Sequence, residues 1–356
     1  MSAESDIVHR LAERLREGAR TLQPIDVAGS GSKAFLYPSA DGEAFSIASH
    51  AGIVDYAPSE LCVTARAGTP LAALDAELRT SAQMLPFDPP RFGGDGTLGG
   101  ALSAGFSGPG RPWHGAARDA VLGVVLMNGA AEVLRFGGRV MKNVAGFDVS
   151  RLVVGAHGCL GVILEATVKV SPRPEAERTL RFECSRDDAL ARVVAWGRTA
   201  LPITATCHVD DALLVRVSGS EAGVAAGAAK LGGDAVADAE SVWSAVRDHA
   251  HRFFSARTAN AGKTLWRLAL PYDASYPELD GDWLTEWGGA QRWLVSDGEA
   301  ATIERAARDR GGYAQCFSTG GGLATVDPVL HRYHARLKAA FDPHGLLNLG
   351  RMPAAR

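Results

Sequence analysis

The sequence predicts an α+β chain of two domains. Its 356 residues, 46% of them hydrophobic, exceed what one ordinary core accommodates, so the chain is expected to divide. The first half is glycine-rich with short β-prone runs, whereas the second alternates strand-like and helix-like segments. A polar, proline-punctuated stretch at 171–178 separates the two patterns. We therefore expect domains at 1–175 and 176–329, followed by a C-terminal segment at 330–356.

The individual elements follow from apolar periodicity. Ile7, Leu11 and Leu15 recur four residues apart among charged residues and predict an amphipathic opening helix. We expect the β-prone runs of the first half to join a mixed sheet: 25–27, 61–65, 121–127 and 162–170. The second half predicts strands at 180–184, 203–209 and 213–217, with helices at 188–199 and 221–231. This order is typical of an antiparallel sheet with helices on one face.

Composition and charge exclude several classes of partner. The formal net charge is only −3, and basic residues are scattered among acidic ones, so no field attracts nucleic acid. The N-terminus is charged throughout and no later stretch is long enough to span a bilayer, which predicts a cytoplasmic chain without direct membrane insertion. The five cysteines stand far apart, which excludes the close clusters that hold zinc or an iron–sulfur centre.

Three glycine clusters, at 29–32, 93–100 and 155–161, dominate the first half. Glycine permits positive φ and close approach, so consecutive amide groups can converge on a diphosphate. The first cluster also matches a G-x-G-x-x-A dinucleotide fingerprint, but Pro38 would break the helix that this motif must open. We therefore expect a large phosphorylated ligand without a Rossmann unit. The alternative is that these glycines only serve tight turns.

Six longer strings carry a specific resemblance. They are VAGSGSKAF (27–35), MLPFDPP (84–90), GTLGGALSAGFSGP (96–109), ARDAVLGVVLMNG (117–129), VMKNVAGFDVSRLVVGAHGCLGVILEATVKV (140–170) and EWGGAQRWL (286–294). These strings resemble the FAD-binding subunits of bacterial glycolate oxidase, within the flavoprotein superfamily of vanillyl-alcohol oxidase and p-cresol methylhydroxylase. The resemblance implies a two-part FAD-binding domain of the p-cresol methylhydroxylase type, then an antiparallel-sheet α+β domain. The C-terminal segment is expected to return to the FAD domain.

By the same resemblance, FAD would be held largely by backbone and hydroxyl groups. The residues assigned to the cofactor are Gly29, Ser30, Gly31, Ser32, Lys33, Gly94, Thr97, Leu98, Gly99, Gly100, Ser103, Ser107, Gly108, Gly158, Gly161, Val162, Ile163 and Arg351. Segments 29–33 and 97–100 would wrap the diphosphate, and 158–163 would face the flavin. Arg351 would supply a cation, although Leu349 stands where relatives carry proline. Roles at the flavin, in turns or at the surface stay open for His114, Arg118, Asp119, Lys142, Asn143 and Asp148.

The motifs that are missing point to an accessory role. Relatives with covalent flavin use a histidine in the first glycine loop or a cysteine before the Arg-Asp pair, and here those regions read GSGSK and WHGAARD. We therefore expect non-covalent FAD. Related catalytic subunits carry HxGDGN and EHG strings, and neither occurs here. His249 and His251, two apart on a predicted helix, cannot form a ligand pair, and no catalytic base or metal site is identified.

The sequence thus predicts an FAD-binding accessory subunit of a heteromeric glycolate oxidase, alongside a catalytic FAD subunit and an iron–sulfur subunit. Its FAD would relay electrons or serve structure, and any membrane association would arise through the complex. One alternative is a self-sufficient FAD-dependent 2-hydroxy-acid dehydrogenase. The other is a non-catalytic assembly subunit with a degenerate flavin fold, which binds partners through Trp283, Trp287 and Trp293 unless these are core residues.

Overall fold

The structure is a computed structural model that describes residues 3–37, 42–94, 96–138, 147–257, 262–318 and 320–354. Its strands are β1 Ile25–Ala28, β2 Glu43–Ser46, β3 Ile53–Ala57, β4 Cys62–Arg66, β5 Gln83–Met84, β6 Val121–Met127, β7 Val133–Gly137, β8 Val162–Lys169, β9 Ser171–Pro172, β10 Ala176–Glu183, β11 Ile203–Val209, β12 Ala212–Gly219, β13 Asp234–Ala235, β14 Thr264–Ala269, β15 Asp282–Glu286, β16 Gln291–Ser296 and β17 Tyr313–Cys316. Its helices are α1 Ala3–Thr21, α2 Leu71–Thr80, α3 Leu98–Ala104, α4 Arg111–His114, α5 Ala117–Ala120, α6 Val149–Leu152, α7 Arg186–Trp196, α8 Glu221–Leu231, α9 Ala239–Arg247, α10 Ala300–Arg308 and α11 Pro328–Phe341.

The chain divides into two compact units. The first comprises Met1–Ser107, Ala116–Pro172 and Thr325–Arg356, and the second comprises Gly108–Gly115 and Arg173–Ala324. The C-terminal segment therefore belongs to the first unit, and a short excursion at Gly108–Gly115 belongs to the second. Both units combine helices with β-sheet, so the predicted α+β class is confirmed.

The first unit is built on a five-stranded sheet with the order β3-β4-β8-β6-β7, in which every pairing is antiparallel. The parallel pairing lies in a separate two-stranded sheet, where β1 runs beside β2 from Ile25↔Glu43 to Ala28↔Ser46. The prediction of one mixed sheet is therefore wrong. Apolar periodicity identifies strands but not their partners, because a strand looks the same in either sheet.

Two apolar clusters hold this unit together. In the larger one, Leu74 and Leu78 of α2 pack with Leu102 of α3 and with buried strand residues such as Val63. In the other, Leu11 and Leu15 of α1 pack against β1 and against the C-terminal segment at Leu346. Both α1 leucines are fully buried, and burial of such a side chain contributes about 2 kcal/mol. The predicted amphipathic opening helix thus packs on its own domain.

The second unit contains an eight-stranded antiparallel sheet with the order β13-β10-β12-β11-β15-β16-β14-β17. The predicted strands and helices of this half occur close to their expected positions, with α8 at Glu221–Leu231. Trp283, Trp287 and Trp293 are exposed by only 9%, 7% and 1%. The hypothesis of a tryptophan-rich partner surface is therefore wrong, because these side chains form core.

The histidine pair of the second unit does not lie on a helix as predicted. The helix α9 ends at Arg247, and His249 and His251 follow it. The His249 ring stacks on Phe254, with ring centroids 4.1 Å apart. Over the described ranges, no three His, Cys, Asp or Glu side chains gather as a metal site would require. None of the described helices has both the length and the apolar character needed to cross a bilayer.

Candidate cofactor site

A cleft opens at the surface of the first unit. Its walls come from the segment after β1, from α3 and the residue before it, from the turn before β8, and from the C-terminal segment. The lining residues are Val27, Ala28, Gly29, Ser30, Gly31, Ser32, Lys33, Ala34, Tyr37, Ile47, Ala67, Thr97, Gly99, Gly100, Ser103, Ala104, His157, Gly158, Gly161, Val162, Ile163, Asn348 and Arg351. Segments that are far apart in sequence therefore meet at one concave surface.

Most residues that the sequence analysis assigned to the cofactor line this cleft. Four lie outside its lining: Gly94, Leu98, Ser107 and Gly108. The Leu98 side chain is fully buried in the core, and the Ser107 hydroxyl accepts the Ala117 amide at 3.0 Å. Gly108 belongs to the second unit, where its carbonyl accepts the indole N–H of Trp287 at 2.9 Å. Sequence proximity to a glycine cluster thus did not separate wall residues from core and turn residues.

The first glycine loop, residues 29–33, follows the carboxyl end of β1. Gly31 has a φ of +74°, which favours glycine, and its carbonyl accepts the amide of Ala34 at 2.9 Å. A single 3-10 turn at Ala34–Leu36 follows instead of a long helix, which agrees with the argument against a Rossmann unit. Within the described part of the chain, the amides of residues 30–33 donate to no acceptor. Four adjacent backbone N–H groups are therefore available to donate hydrogen bonds to oxygen atoms of a ligand.

In the second glycine segment, residues 97–100, the amides of residues 98–100 are already bonded. The amides of Leu98 and Gly99 donate to the carbonyls of Thr69 and Ala67 at 2.9 and 2.8 Å. The Gly100 amide donates to the Thr97 hydroxyl at 3.2 Å, which caps α3. Glycine serves close packing here, since a Cβ added to Gly99 would lie 2.5 Å from the Ala67 Cβ. This segment shapes the wall of the cleft and offers few free donors.

Lys33 is a buried cation at the end of the first glycine loop. Its side chain is 7% exposed, and its ammonium donates to the Ser32 hydroxyl at 3.2 Å and lies 5.6 Å from the Phe92 ring centroid. No carboxylate of the described residues forms an ion pair with it. Burial without a counter-charge lowers the pKa of Lys33 to about 8. An anion bound in the cleft would relieve this cost.

Tyr37 and His157 form a pair that sequence reasoning missed. The Tyr37 hydroxyl lies 2.7 Å from Nδ1 of His157. Burial lowers the pKa of His157 to about 4 and raises the pKa of Tyr37. The imidazole is therefore neutral near pH 7. The backbone of His157 has a φ of +53°, which is uncommon for a residue other than glycine. Only the position of His157 within the third glycine cluster could have drawn attention to it.

Arg351 brings the C-terminal segment to the cleft. Its guanidinium pairs with Asp26 and its carbon atom Cζ lies 4.5 Å from the Tyr37 ring centroid. Burial lowers the pKa of Arg351 to about 10, so the group stays charged near pH 7. Its Nε is buried without a hydrogen-bond partner in the structure. This orphaned donor belongs to the same cleft lining as Lys33 and the open amides, and such donors suit a phosphorylated ligand.

Asn348 ties the C-terminal segment to two other walls. Its side-chain oxygen accepts the Val27 amide at 2.7 Å, and its amide group donates to the His157 carbonyl at 3.2 Å. Asn348 adopts a φ of +50°, which asparagine tolerates better than most residues. The unusual Leu349 that follows is exposed. The end motif therefore keeps its connection to β1 without the proline that relatives carry.

A buried ion pair, Lys338–Asp342, connects the end of α11 to the segments that carry the cleft lining. The Lys338 ammonium pairs with Asp342 and donates to the carbonyls of Cys159 and Leu347 at 2.9 and 2.7 Å. The Asp342 carboxylate also accepts the amides of Leu346 and Leu347 at 3.0 and 2.8 Å. The helix α11 ends at Phe341, just before Asp342-Pro343, where the proline cannot continue it. The distant partner of this ion pair is the Cys159 carbonyl, which lies 179 residues from Lys338 and could not be predicted from local sequence.

The residues whose roles stayed open divide among several places. Asp148 caps α6 by accepting the Arg151 amide at 3.1 Å. The Arg118 guanidinium donates to the Val154 carbonyl at 3.2 Å, and Asp119 accepts the Ala116 amide at 2.9 Å. These three residues therefore serve local structure. Lys142 and Asn143 lie outside the described residues, and His114 lies outside the cleft lining.

Comparisons with known proteins agree with this geometry. The model of the FAD binding domain family matches residues 8–137. The glycolate oxidase subunit GlcE of Escherichia coli (strain K12) is 45% identical over 355 residues, which cover 99% of each chain. The glycolate oxidase subunit GlcD of Bacillus subtilis (strain 168) is 40% identical over 117 residues, or 32% of this chain and 24% of that protein. A solved alkyldihydroxyacetonephosphate synthase, 12% identical, matches with a TM-score of 0.67 over 95% of this chain and 74% of the other, which supports the fold.

These matches confirm the family resemblance and the FAD cofactor predicted from the sequence. The GlcE match extends over both units and the C-terminal segment, so it does not rest on the FAD domain alone. Relatives also include a D-2-hydroxyglutarate dehydrogenase of Stutzerimonas stutzeri (strain A1501), 27% identical over 35% of this chain and 27% of that protein. The chain therefore belongs to the GlcE family of glycolate oxidase subunits, which are FAD-binding flavoproteins of the 2-hydroxy-acid oxidoreductases.

Proposed function

We propose that this chain is an FAD-binding accessory subunit of a heteromeric glycolate oxidase, acting beside a catalytic FAD subunit and an iron–sulfur subunit. The observation that carries the proposal is the 45% identity to a glycolate oxidase subunit over 99% of both chains. The names of the two relatives, glycolate oxidase subunits GlcE and GlcD, describe two different subunits of glycolate oxidase, which supports a heteromeric complex. The cleft with open amides supplies this subunit with its own cofactor site.

The residues present fit the cofactor. The amides of residues 30–33 and the Lys33 ammonium would bind the diphosphate, because these five donors form stronger hydrogen bonds with an anion than with a neutral acceptor. The second glycine segment would act as a packed wall, and Gly158, Gly161, Val162 and Ile163 would line the remainder. Arg351 would add a fixed positive charge. Bound FAD supplies an acceptor for two electrons that can be passed on, which suits a relay between subunits.

The titratable groups of the cleft favour an accessory role over catalysis. Oxidation of a 2-hydroxy acid requires a base for the hydroxyl proton. His157 is a weak base, since burial lowers its pKa to about 4, and its Nδ1 is occupied by the Tyr37 hydroxyl. Arg351, the cation available for a substrate carboxylate, is already paired with Asp26. This chain would therefore hold its cofactor in place while a partner carries out the proton transfer.

The Tyr37–His157 pair also supports a second candidate, a self-sufficient FAD-dependent 2-hydroxy-acid dehydrogenase. The His157 imidazole would take up the substrate hydroxyl proton if substrate binding raised its pKa. The FAD-loaded chain should be purified alone and with both partners, and glycolate-dependent dye reduction measured. We expect turnover only with the partners present. Rapid turnover by the chain alone that disappears in His157→Asn would establish the second candidate instead.

We further propose that FAD is held without a covalent bond. The first glycine loop offers Ser32 and Lys33 where a histidine would be needed, and the lining of the cleft includes no cysteine. The Nδ1 atom of His157 is engaged by Tyr37. Denaturation in acid or guanidinium followed by filtration should release all of the yellow chromophore. Colour that stays with the polypeptide would contradict this proposal.

A further inference from the structure

The helix α11 presents one half-buried face and one exposed face. The residues of the inner face are His331, His334, Leu337, Lys338 and Phe341, all half-buried. Leu337 and Phe341 pack against the larger apolar cluster of the first unit. No side chain of this 14-residue helix is fully buried. A helix docked by one face normally turns polar residues outward, so the composition of the outer face is informative.

The exposed surface of α11 is apolar in its first turns. Val329 and Tyr333 lie on the outer face, and Leu330, seven residues before Leu337, lies at its border with the inner face. Val329, Leu330 and Tyr333 are exposed by 50%, 46% and 57%. Tyr333 is four residues from Val329 and three from Leu330, so the three side chains are neighbours on the helix surface. Exposed apolar side chains grouped in this way are unfavourable in water and mark contact surfaces. Tyrosine in particular is enriched among residues that dominate protein interfaces.

The outer face is also basic. Arg332 and Arg336 are exposed and one turn apart, directly beside Tyr333. The segment 328–341 contains no aspartate or glutamate, although the whole chain carries a net charge of −3. A positive, partly apolar patch on a negative chain favours a partner surface that is apolar with an acidic rim.

The helix is held firmly enough to act as a preformed surface. Its C-terminal end is fixed by the Lys338–Asp342 pair. Near its N-terminal end, the Val326 amide donates to the Ala354 carbonyl at 3.0 Å, and Nδ1 of His331 lies 3.2 Å from the Pro353 carbonyl. A rigid surface loses little conformational entropy on binding, which favours affinity.

We propose that the outer face of α11, together with Leu330 at its border, is the surface through which this chain binds another subunit of its oxidase; its residues are Val329, Leu330, Arg332, Tyr333 and Arg336. The partner is expected to present an apolar patch with acidic residues at its rim. This inference rests on the proposed function, because it takes the partner from the same complex. It assigns the contact to residues of the C-terminal segment that are not part of the cleft lining.

Two other occupants fit the surface less well. In a symmetric dimer of this chain, each outer face would meet its own copy, so Arg332 and Arg336 would face cations with no carboxylate on the helix to balance them. A helix that lies on a lipid surface carries its apolar stripe along its whole length. Here the outer face beyond Tyr333 continues as Ala335, Arg336 and alanines. A protein partner with a small apolar patch is therefore favoured.

The test uses the full chain with an affinity tag, co-expressed with the catalytic and iron–sulfur subunits. The variant Leu330→Asp/Tyr333→Asp should retain both partners about tenfold or more less well than the unaltered chain, because a carboxylate is placed where apolar contact and an acidic rim are expected. The control Leu22→Asp changes an apolar residue of the same unit that is 74% exposed, and should retain them normally. FAD content and unfolding temperature of each isolated variant verify that the fold is kept.

A charge variant sharpens the result. Arg332→Glu/Arg336→Glu should weaken retention, and added salt should weaken the unaltered complex more than this variant. Normal retention by Leu330→Asp/Tyr333→Asp would overturn the inference while leaving the proposed function intact. An unaltered chain that retains neither partner would overturn both. If the unaltered chain forms dimers that dissociate in Tyr333→Asp, the inference is overturned in favour of a second copy. If the chain binds vesicles of phosphatidylcholine and phosphatidylglycerol and this binding depends on Tyr333, the inference is overturned in favour of a membrane.

Discussion

The two glycine segments that border the cleft use the same residue for opposite purposes. In the first glycine loop, the amides of residues 30–33 find no acceptor among the described residues, and Gly31 has open space around it. In the second glycine segment, the amides of residues 98–100 are bonded within the protein, and Gly99 lies against Ala67. One segment therefore exposes donors to a ligand, whereas the other allows a helix to approach a strand.

Because of this difference, substitutions in one segment should change ligand affinity, whereas substitutions in the other should change the stability of the fold. Substitutions in a segment with bonded amides and tight packing act first on the folded state. Substitutions in a segment with open amides and an unpaired cation act first on ligand binding. The two segments meet where a Cβ at Gly29 would lie 2.4 Å from the Thr97 hydroxyl. Changes at single positions can therefore show whether the division of roles holds.

The largest effect is expected from Gly99→Val. A side chain there would come within 2.5 Å of the Ala67 Cβ and 3.0 Å of its carbonyl oxygen, so backbone must move. We expect the free energy of unfolding to fall by about 3 kcal/mol, measured by urea unfolding of the FAD-free chain. The control Gly100→Ala meets only the Thr97 hydroxyl at 3.1 Å, and better helix propensity offsets that contact. Equal losses in the two variants would contradict the packing role of Gly99.

The second-largest effect is expected on FAD affinity, in the variant Lys33→Met. Loss of a charge-assisted contact of about 2 kcal/mol should raise the Kd for FAD about thirtyfold. The FAD-free chain should not lose stability, because the buried ammonium has no counter-charge among the described residues. Fluorescence titration measures the Kd, and Lys230→Met, at an exposed lysine of the second unit, is the matched control. An unchanged Kd would remove Lys33 from the proposed site.

The same residue predicts a pH dependence. In the FAD-free chain the pKa of Lys33 is about 8, and a bound diphosphate would raise it. Binding then takes up a proton above pH 8, so affinity falls as the pH rises through this value and is flat below pH 7. We expect the Kd to rise about tenfold between pH 7 and pH 9. The slope should be absent in Lys33→Met, and a slope that persists there would assign it to another group.

The first glycine loop could be located from the sequence because its signal is local. A cluster of glycines after a β-prone run at 25–27, with Pro38 soon after, predicts an open loop with unbonded amides. The three strands and two helices that were predicted in the second half occur within a few residues of their expected bounds for the same reason, because apolar periodicity lies within the element itself. Local signals thus located seven of the 17 strands of the described residues, and glycine segments that line the cleft.

Features that depend on distant contacts were not predictable. His157 and Tyr37 are 120 residues apart in sequence and meet only in the folded unit. The Lys338–Asp342 pair reads as an ordinary helical neighbour pair until Cys159 and Leu347 supply its other partners. The bonded state of the second glycine segment depends on the carbonyls of Ala67 and Thr69. Composition cannot distinguish a glycine that frees a donor from one that allows close packing.

The smallest effect is expected from Gly31→Ala, which tests the open character of the first glycine loop. An added Cβ would meet nothing within 4 Å, so only the φ of +74° is unfavourable for alanine. The unfolding free energy should fall by about 1 kcal/mol. Gly93→Ala has the same open surroundings at a φ of +105°, outside the cleft, and controls for backbone strain. Because only Gly31 belongs to the proposed diphosphate loop, FAD affinity should fall in Gly31→Ala and stay unchanged in Gly93→Ala, whereas parallel changes would show that strain alone is responsible.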